Sequence, residues 1–396
     1  MKIINLPDDI IINISNYLFD YSSFYSITKY FKKKFYKWYL KGIYSEKYLV
    51  DEKFRNFILD QIEDPSKQLS IRIVYYSREI DINILNNICE LTLHCCKKIK
   101  NLDKLSNINK VRLSFCNISD IESLNNVNDL DLSFCTNIVN FKSLNNNNLR
   151  KLNLCGCQNI IDVSNLGNIY DLDLSFCTKI KDVSKLTNVH KLNLSHCVNI
   201  TDISSLSNVY ELDLSFCINI KDVSNLGKVY KLNLSNCVNI VDVSDLGNVH
   251  QLNLSKCMSI TDVSALYNVY DLDLSGCINI MDVSKLGKVY NLNLSYCSNI
   301  TDVSKLTNVY KLNLSFCINI TNVNALYNVY DLDLSGCINI IDVSNLGNVY
   351  KLNLSNCLSI IDVSNLGNLY ELDISNCPNI KTDLSKLNNI KELFNF

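Results

Sequence analysis

The sequence predicts an α/β-type solenoid. Its coils are ~20 residues long, each with one strand of a parallel inner sheet and a non-helical outer arc, and a small all-α segment stands in front. Three observations carry this. Cysteines stand at 157, 177, 197, 217, 237, 257, 277, 297, 317, 337, 357 and 377, a spacing of twenty residues without a slip. Around each runs the same apolar pattern, as in Val189, Leu192, Leu194, Cys197, Ile200, Ile203 and Leu206. The first 45 residues share none of this and show helical periodicity instead.

Within a coil, the Leu192-x-Leu194 step has period two, so both leucines point to one side of a short strand. The later apolar steps are three residues each. That is too tight for an α-helix and fits 3₁₀-like or extended pieces turning around a narrow core. One coil cannot bury its own leucines, so stacking on neighbours is obligatory. Each Cys takes an inward position and is expected to be a buried, reduced thiol acting as a small hydrophobe.

Taken in order, the chain opens with Leu6-Pro7-Asp8-Asp9-Ile10. Ile10, Ile14, Tyr17 and Leu18 share one helical face. Pro7 precedes that helix, and Asp8 and Asp9 suit its positive end. Ser22-Ser23 can cap a second helix through Phe24, Ile27, Phe31, Phe35 and Trp38. The segment resembles the F-box: Leu6, Pro7, Asp9, Ile10, Ile14, Leu18 and Phe24 fall on its pattern. Tyr30-Phe31 replaces the usual Val-Cys, and Phe35 stands near the usual Trp. The resemblance implies docking through Leu6, Pro7, Ile10, Ile14, Leu18 and Phe24 on a Skp-type adaptor of a cullin ubiquitin ligase.

The expected domains are an F-box-like helical domain at 1–45, a connecting helix and strand at 46–85, and the solenoid at 86–396. Lys53 to Ile62 reads as a short helix ended by Asp64-Pro65, and Leu69 to Tyr75 as a strand leading into the solenoid. Repeats begin at Leu91-Thr92-Leu93, with Cys96, Cys116, Cys135 and Cys157 spaced 20, 19 and 22 apart. The extra residues fall at Asn145 to Asn148. Fifteen Leu-x-Leu-like strands run from Leu91 through Ile374, and Ile390 to Phe396 should form a last partial coil. Ala265 to Tyr290 nearly recurs as Ala325 to Tyr350, sixty residues on, so three coils were duplicated together.

The units resemble the cysteine-containing leucine-rich repeat, Leu-x-x-Leu-x-Leu-x-x-Cys-x-x-Ile-Thr-Asp. Leu252, Leu254, Cys257, Ile260, Thr261 and Asp262 match it, as do Cys297, Ile300, Thr301 and Asp302. The following Asp-Val-Ser-x-Leu is similar to the outer arc of bacterial internalin-type repeats. The departure is length, because twenty residues leave no room for an outer helix.

Composition narrows the function. A net charge of −2, from 38 basic and 40 acidic residues, gives no global field for nucleic acid or an anionic membrane. Lys32-Lys33-Lys34 reads as the solvated face of a helix. The N-terminus shows no signal-peptide pattern, so a cytoplasmic or nuclear location is expected. Abundant Asn, Ile, Lys and Tyr point to an AT-rich genome such as that of an amoebal giant virus, which would place the protein in host cytoplasm. His94, His190, His196 and His250 suggest no catalytic partnership, and His94-Cys95-Cys96 lacks the spaced ligands zinc needs. No enzyme activity, metal or cofactor is expected.

The regular columns read as structure. Lys191, Glu211, Lys231 and their kin alternate in sign along the strands. A tyrosine column from Tyr170 to Tyr370 suits a stacked ladder, and the Asp-Val-Ser turns suit backbone-bonding Asx turns. The column just before each Cys is irregular, with Phe176, His196, Phe216, Lys256, Tyr296 and Phe316. Exposed aromatics there have no core to fill, so these six are the expected partner-binding residues. The expected function is a non-catalytic substrate-recognition adaptor of a Skp-cullin-F-box ligase. The alternative is a leucine-rich-repeat scaffold or inhibitor with no ligase role.

Overall fold

The computed structural model describes residues 38–395, apart from 61, 86, 120, 125, 140, 142, 143, 145–147 and 388. The F-box-like residues Leu6, Pro7, Ile10, Ile14, Leu18 and Phe24 lie outside the described residues, as do Asn145, Asn146 and Asn147 of the expected insertion. The chain divides into two compact units, Met1–Cys177 and Thr178–Phe396.

In the first unit, β1 (Trp38–Lys41) pairs in parallel with β2 (Leu69–Val74), Leu40 opposite Ile71. Trp38, expected on a helix, therefore sits on a strand. The physical reason is close by: Leu40 is buried between the outward Tyr39 and Lys41, and Gly42 at φ 57° turns the chain sharply into α1 (Ile43–Val50). The expected boundary after residue 45 falls inside that helix. Next comes α2 (Glu52–Leu59), capped by the Asp51 carboxylate accepting from the Phe54 N–H at 2.9 Å. A short α3 (Pro65–Gln68) is capped by Asp64. Tyr48, Phe54 and Ile58 bury one side of this helical segment.

β2 pairs in parallel with β4 (Glu90–His94), Ile71 opposite Leu91, so Leu69–Val74 is already a rung of the solenoid. The ladder continues through β6 (Lys110–Arg112), β7 (Asp129–Asp131), β8 (Lys151–Asn153) and β9 (Asp171–Asp173). A small second pairing joins β3 (Ile80–Asp81) to β5 (Ile99–Lys100).

The second unit repeats one coil. Its three-residue strands run from β10 (Lys191–Asn193) to β19 (Glu371–Asp373), each in register with the next, Leu opposite Leu. A last strand, β20 (Glu392–Phe394), pairs with β19, as the partial final coil requires. The three-residue apolar steps have a direct cause. N–H groups of Ile200, Leu206 and Val209 donate to carbonyls three residues back, at Cys197, Ile203 and Leu206. Such turns place residues i and i+3 on one side, so Cys197, Ile200, Ile203, Leu206 and Val209 all point inward and are buried. The outer arc carries 3₁₀ turns such as Ser224–Leu226 and Ser264–Asn268 rather than α-helix. Each buried Leu or Ile contributes about 1.5–3 kcal/mol, set against the entropy of ordering the coil. Each unit is thus a leucine-rich-repeat solenoid with a parallel inner sheet.

Candidate functional site

The irregular column lies on a turn. After strand Lys191–Asn193, the Leu194 N–H still pairs with the next coil, at the Asp213 carbonyl. The Asn193 side-chain oxygen accepts from the Ser195 N–H at 2.9 Å. His196 then takes φ 61°, and the Cys197 N–H closes back on the Leu194 carbonyl at 3.0 Å. A four-residue turn with positive φ only at its third residue is type II, which favours Gly or Asn there. The column obeys this at Gly156, Gly276, Gly336, Asn236, Asn356 and Asn376. Yet Phe176, Phe216, Tyr296 and Phe316 take the same left-handed conformation, at φ 57–62°. This costs about 1–2 kcal/mol for a residue with a Cβ.

The conformation throws the side chain out of the coil. Phe176 (43 %), Phe216 (40 %), Tyr296 (56 %) and Phe316 (41 %) all remain exposed. In the second unit His196 stacks on Phe216 with centroids 4.3 Å apart, and Tyr296 on Phe316 at 4.7 Å. The Phe316 ring covers Gly336, where an added Cβ would fall 2.7 Å from ring carbons. Lys256 lies along Gly276. Of the six expected residues, Phe176 belongs to the first unit; within the second, His196 pairs with Phe216 and Tyr296 with Phe316, and Lys256 lies along Gly276.

The first unit has its own aromatic rim, which the sequence reading missed. Phe115 stacks on Phe134 at 4.4 Å, His94 meets Phe115 edge-on at 5.3 Å, and Tyr75 meets His94 at 5.6 Å. Phe115 and Phe134 directly precede Cys116 and Cys135, so the signal was present, hidden by the uneven spacing there. His94 Nδ1 also lies 2.7 Å from Ser114 Oγ.

Beside the rim, strand side chains form the inner face. Its charges pair across strands, Lys191 with Glu211 at 2.7 Å, Lys311 with Asp331 at 3.2 Å, and Lys351 with Glu371. Being partly exposed and screened by solvent, each pair contributes little to stability. Around Asn291 the pairing fails. A hollow of about 400 Å³ is lined by Asp271, Asp273, Asp331 and Asp333, with Lys311 as its one cation. Asn291 Oδ1 is buried there without a hydrogen-bond partner among the described residues. Such a hollow suits a cationic side chain.

Below this surface, all 18 cysteines are free thiols. From Cys157 to Cys357 the ladder cysteines are buried, as expected of small apolar side chains, and they add a hydrogen bond to that role. The Sγ of Cys217, Cys257 and Cys317 donates to the carbonyl of Leu194, Leu234 and Leu294 in the preceding coil, at 3.1 Å each. On another side, His190, Tyr210, Tyr230, His250 and the tyrosines through Tyr370 stack at 4.6–4.8 Å. Lys391 closes the end of the stack 5.3 Å from the Tyr370 centroid.

No protein-family model matches the chain, and no curated protein does. Among solved structures it is similar to an internalin, InlF, of Listeria monocytogenes at 20 % identity, covering 82 % of this chain and 86 % of that one with a TM-score of 0.40. A leucine-rich-repeat protein of Leptospira interrogans is 18 % identical over 80 % of each chain, with a TM-score of 0.41. The functional domain of InlJ from Listeria monocytogenes, which includes a cysteine ladder, is 17 % identical over 81 % of this chain and 66 % of that one, with a TM-score of 0.43.

Proposed function

We propose that the chain is a non-catalytic protein-binding scaffold whose rim and inner face hold a partner. One observation carries this: residues with φ near 60° present aromatic rings to solvent at positions where Asn or Gly would cost less. Stacking of Phe216 on His196 and of Phe316 on Tyr296 offsets part of that cost, yet Asn236 in the same turn shows that the coil does not require a ring there. Exposed aromatic anchors are the usual centres of protein interfaces. The acidic hollow at Asp271, Asp273 and Asp333 adds a seat for a partner's Lys or Arg. The test is site-specific photocrosslinking in the native host, from position 216 or 316 and, as a control, from position 245 on the outer arc. Selective crosslinks from the rim support the reading. Equal yield from all three positions ends it.

The ubiquitin-ligase adaptor is a second, finer reading. It rests on the sequence run Leu6-Pro7-Asp8-Asp9-Ile10 with Ile14, Leu18 and Phe24, set in front of cysteine-type repeats. On this reading the scaffold works in the cytoplasm or nucleus, of a host if the gene is viral, and raises the effective concentration of a substrate near the ubiquitin carrier. Purified Skp-type adaptor should bind the full chain and lose binding to the Pro7→Ala/Ile10→Ala variant. Absence of binding to the unmodified chain would leave the plain scaffold alone.

A further inference from the structure

One cluster on the outer arc of the second unit breaks the repeat. Lys285, Lys288 and Lys305 line a depression of about 720 Å³ together with Tyr267, Ser284 and Asn308. Gly287 opens it, having no side chain where the flanking coils carry Tyr267 and Thr307. The backbone is so close there that an added Cβ would meet the Lys305 carbonyl oxygen at 2.2 Å.

The three ammonium groups are only partly compensated. Among the described residues, no carboxylate forms an ion pair with any of them. Asp282 and Asp302 are the near acids. Their carboxyls are held below the ordinary range first by the N–H groups of Ser284 and Ser304, and more weakly by Lys285 and Lys305. Both carboxylates are therefore already engaged by their own turns.

The internal duplication serves as a control on this cluster. Sixty residues on, Ala265, Tyr267 and Gly287 recur as Ala325, Tyr327 and Gly347, but Asn345, Asn348 and Asn365 replace the three lysines. The coil accepts either set, so the lysines are not required by the fold. A cavity of this size falls in the range of small-molecule sites. Lysines act as strong point charges for phosphate, and the Tyr267 ring, 46 % exposed, can take a planar group.

We propose that this depression binds a polyphosphate anion, with Lys285, Lys288 and Lys305 on the phosphates and Tyr267 against an attached planar ring, as in a nucleoside triphosphate. The site is independent of the rim and would work whether or not the rim binds a partner.

The test is calorimetric titration of the full chain at low salt with two probes, tripolyphosphate and ATP. Both should bind, ATP more tightly, and both should weaken as salt screens the lysines. The variant K285N/K288N/K305N copies the duplicated coils and should fold. It should lose about tenfold or more in affinity for both probes. Tyr267→Ala should weaken ATP and leave tripolyphosphate unchanged. No binding of either probe, or binding that survives the triple substitution, overturns the proposal. Equal affinity for both probes, unmoved by Tyr267→Ala, supports the lysine site and overturns the ring contact.

Discussion

The thiol of Cys237 donates to the carbonyl oxygen of Leu214, 3.1 Å away in the preceding coil, and that same oxygen accepts the Cys217 N–H at 3.0 Å. One carbonyl thus ties its own coil's turn to the next coil. The ladder of cysteines is a row of donors as well as a column of apolar volume.

Cys237→Ala should lower stability by about 1–2 kcal/mol, through a small cavity and the lost donor. Cys237→Ser should lose less, because its hydroxyl still faces the Leu214 oxygen. Urea unfolding of the two variants decides. If serine proves worse than alanine, the position rewards apolar character and the bond to Leu214 contributes nothing measurable.

Alkali should weaken the fold. Burial pushes the thiols of Cys217, Cys237, Cys257, Cys297, Cys317 and Cys337 up to about 12. Unfolded thiols titrate near ~8.5. Between these values the folded chain keeps protons that the unfolded chain has released. The stabilising effect is complete below ~8.5 and is lost as pH rises toward the folded value, by about 1.4 kcal/mol per thiol per pH unit. Tyr290 and Tyr330, raised first by burial and then by neighbouring tyrosines, act in the same direction. The urea midpoint should hold level from neutral pH to ~8.5 and fall above it; a curve that stays flat above that pH would contradict the buried ladder.

Acid acts on different groups. The Ser224 N–H, 2.9 Å from Asp222 Oδ1, holds that carboxyl below its ordinary value. A depressed carboxylate stabilises above its unfolded pKa of ~3.9, and the effect is lost as pH falls through the lower folded value. Asp222→Asn should be nearly neutral at pH ~7, because Asn322 already accepts the Asn324 N–H at 3.0 Å in the same turn. Asp222→Ala removes the acceptor and should lower Tm. Equal Tm for both variants would show the turn bond to be incidental.

On the rim, Gly336→Ala and Asn356→Gly should have opposite signs. The first places a methyl 2.7 Å from the Phe316 ring at φ 70° and should cost about 1–2 kcal/mol. The second relieves a left-handed asparagine at φ 60° and should gain a few tenths to about 1 kcal/mol. Thermal unfolding of both variants is the check. Two changes of the same sign would mean that backbone conformation does not govern this column.

Much of this was legible because the coil has only two periods. Leu192 and Leu194 reported the strand, and Cys197, Ile200, Ile203 and Leu206 the three-residue turns. Trp38 was misread because its aromatic neighbours mimic a helical face, while Gly42, which ends the strand, is a weak single signal. The left-handed rim was written in Gly156, Asn236 and Gly276, but the aromatics sharing their column disguised it. Lys285 and Lys305 stand twenty residues apart, and only the winding of the coil makes them neighbours. The direction of a thiol hydrogen bond, as from Cys237 to Leu214, leaves no mark on a sequence at all.

The tyrosine stack has an optical consequence. Rings held nearly parallel about 4.7 Å apart, as Tyr270 and Tyr290 are, place their transition dipoles in strong mutual coupling. Excitation absorbed at one phenol can migrate to the next, with His250 as a gap in the conducting row. The chain's single tryptophan is Trp38, so the second unit contains no indole and its near-ultraviolet absorption comes from its phenols. Near-ultraviolet dichroism from this array reports whether the coils are stacked, without any added label.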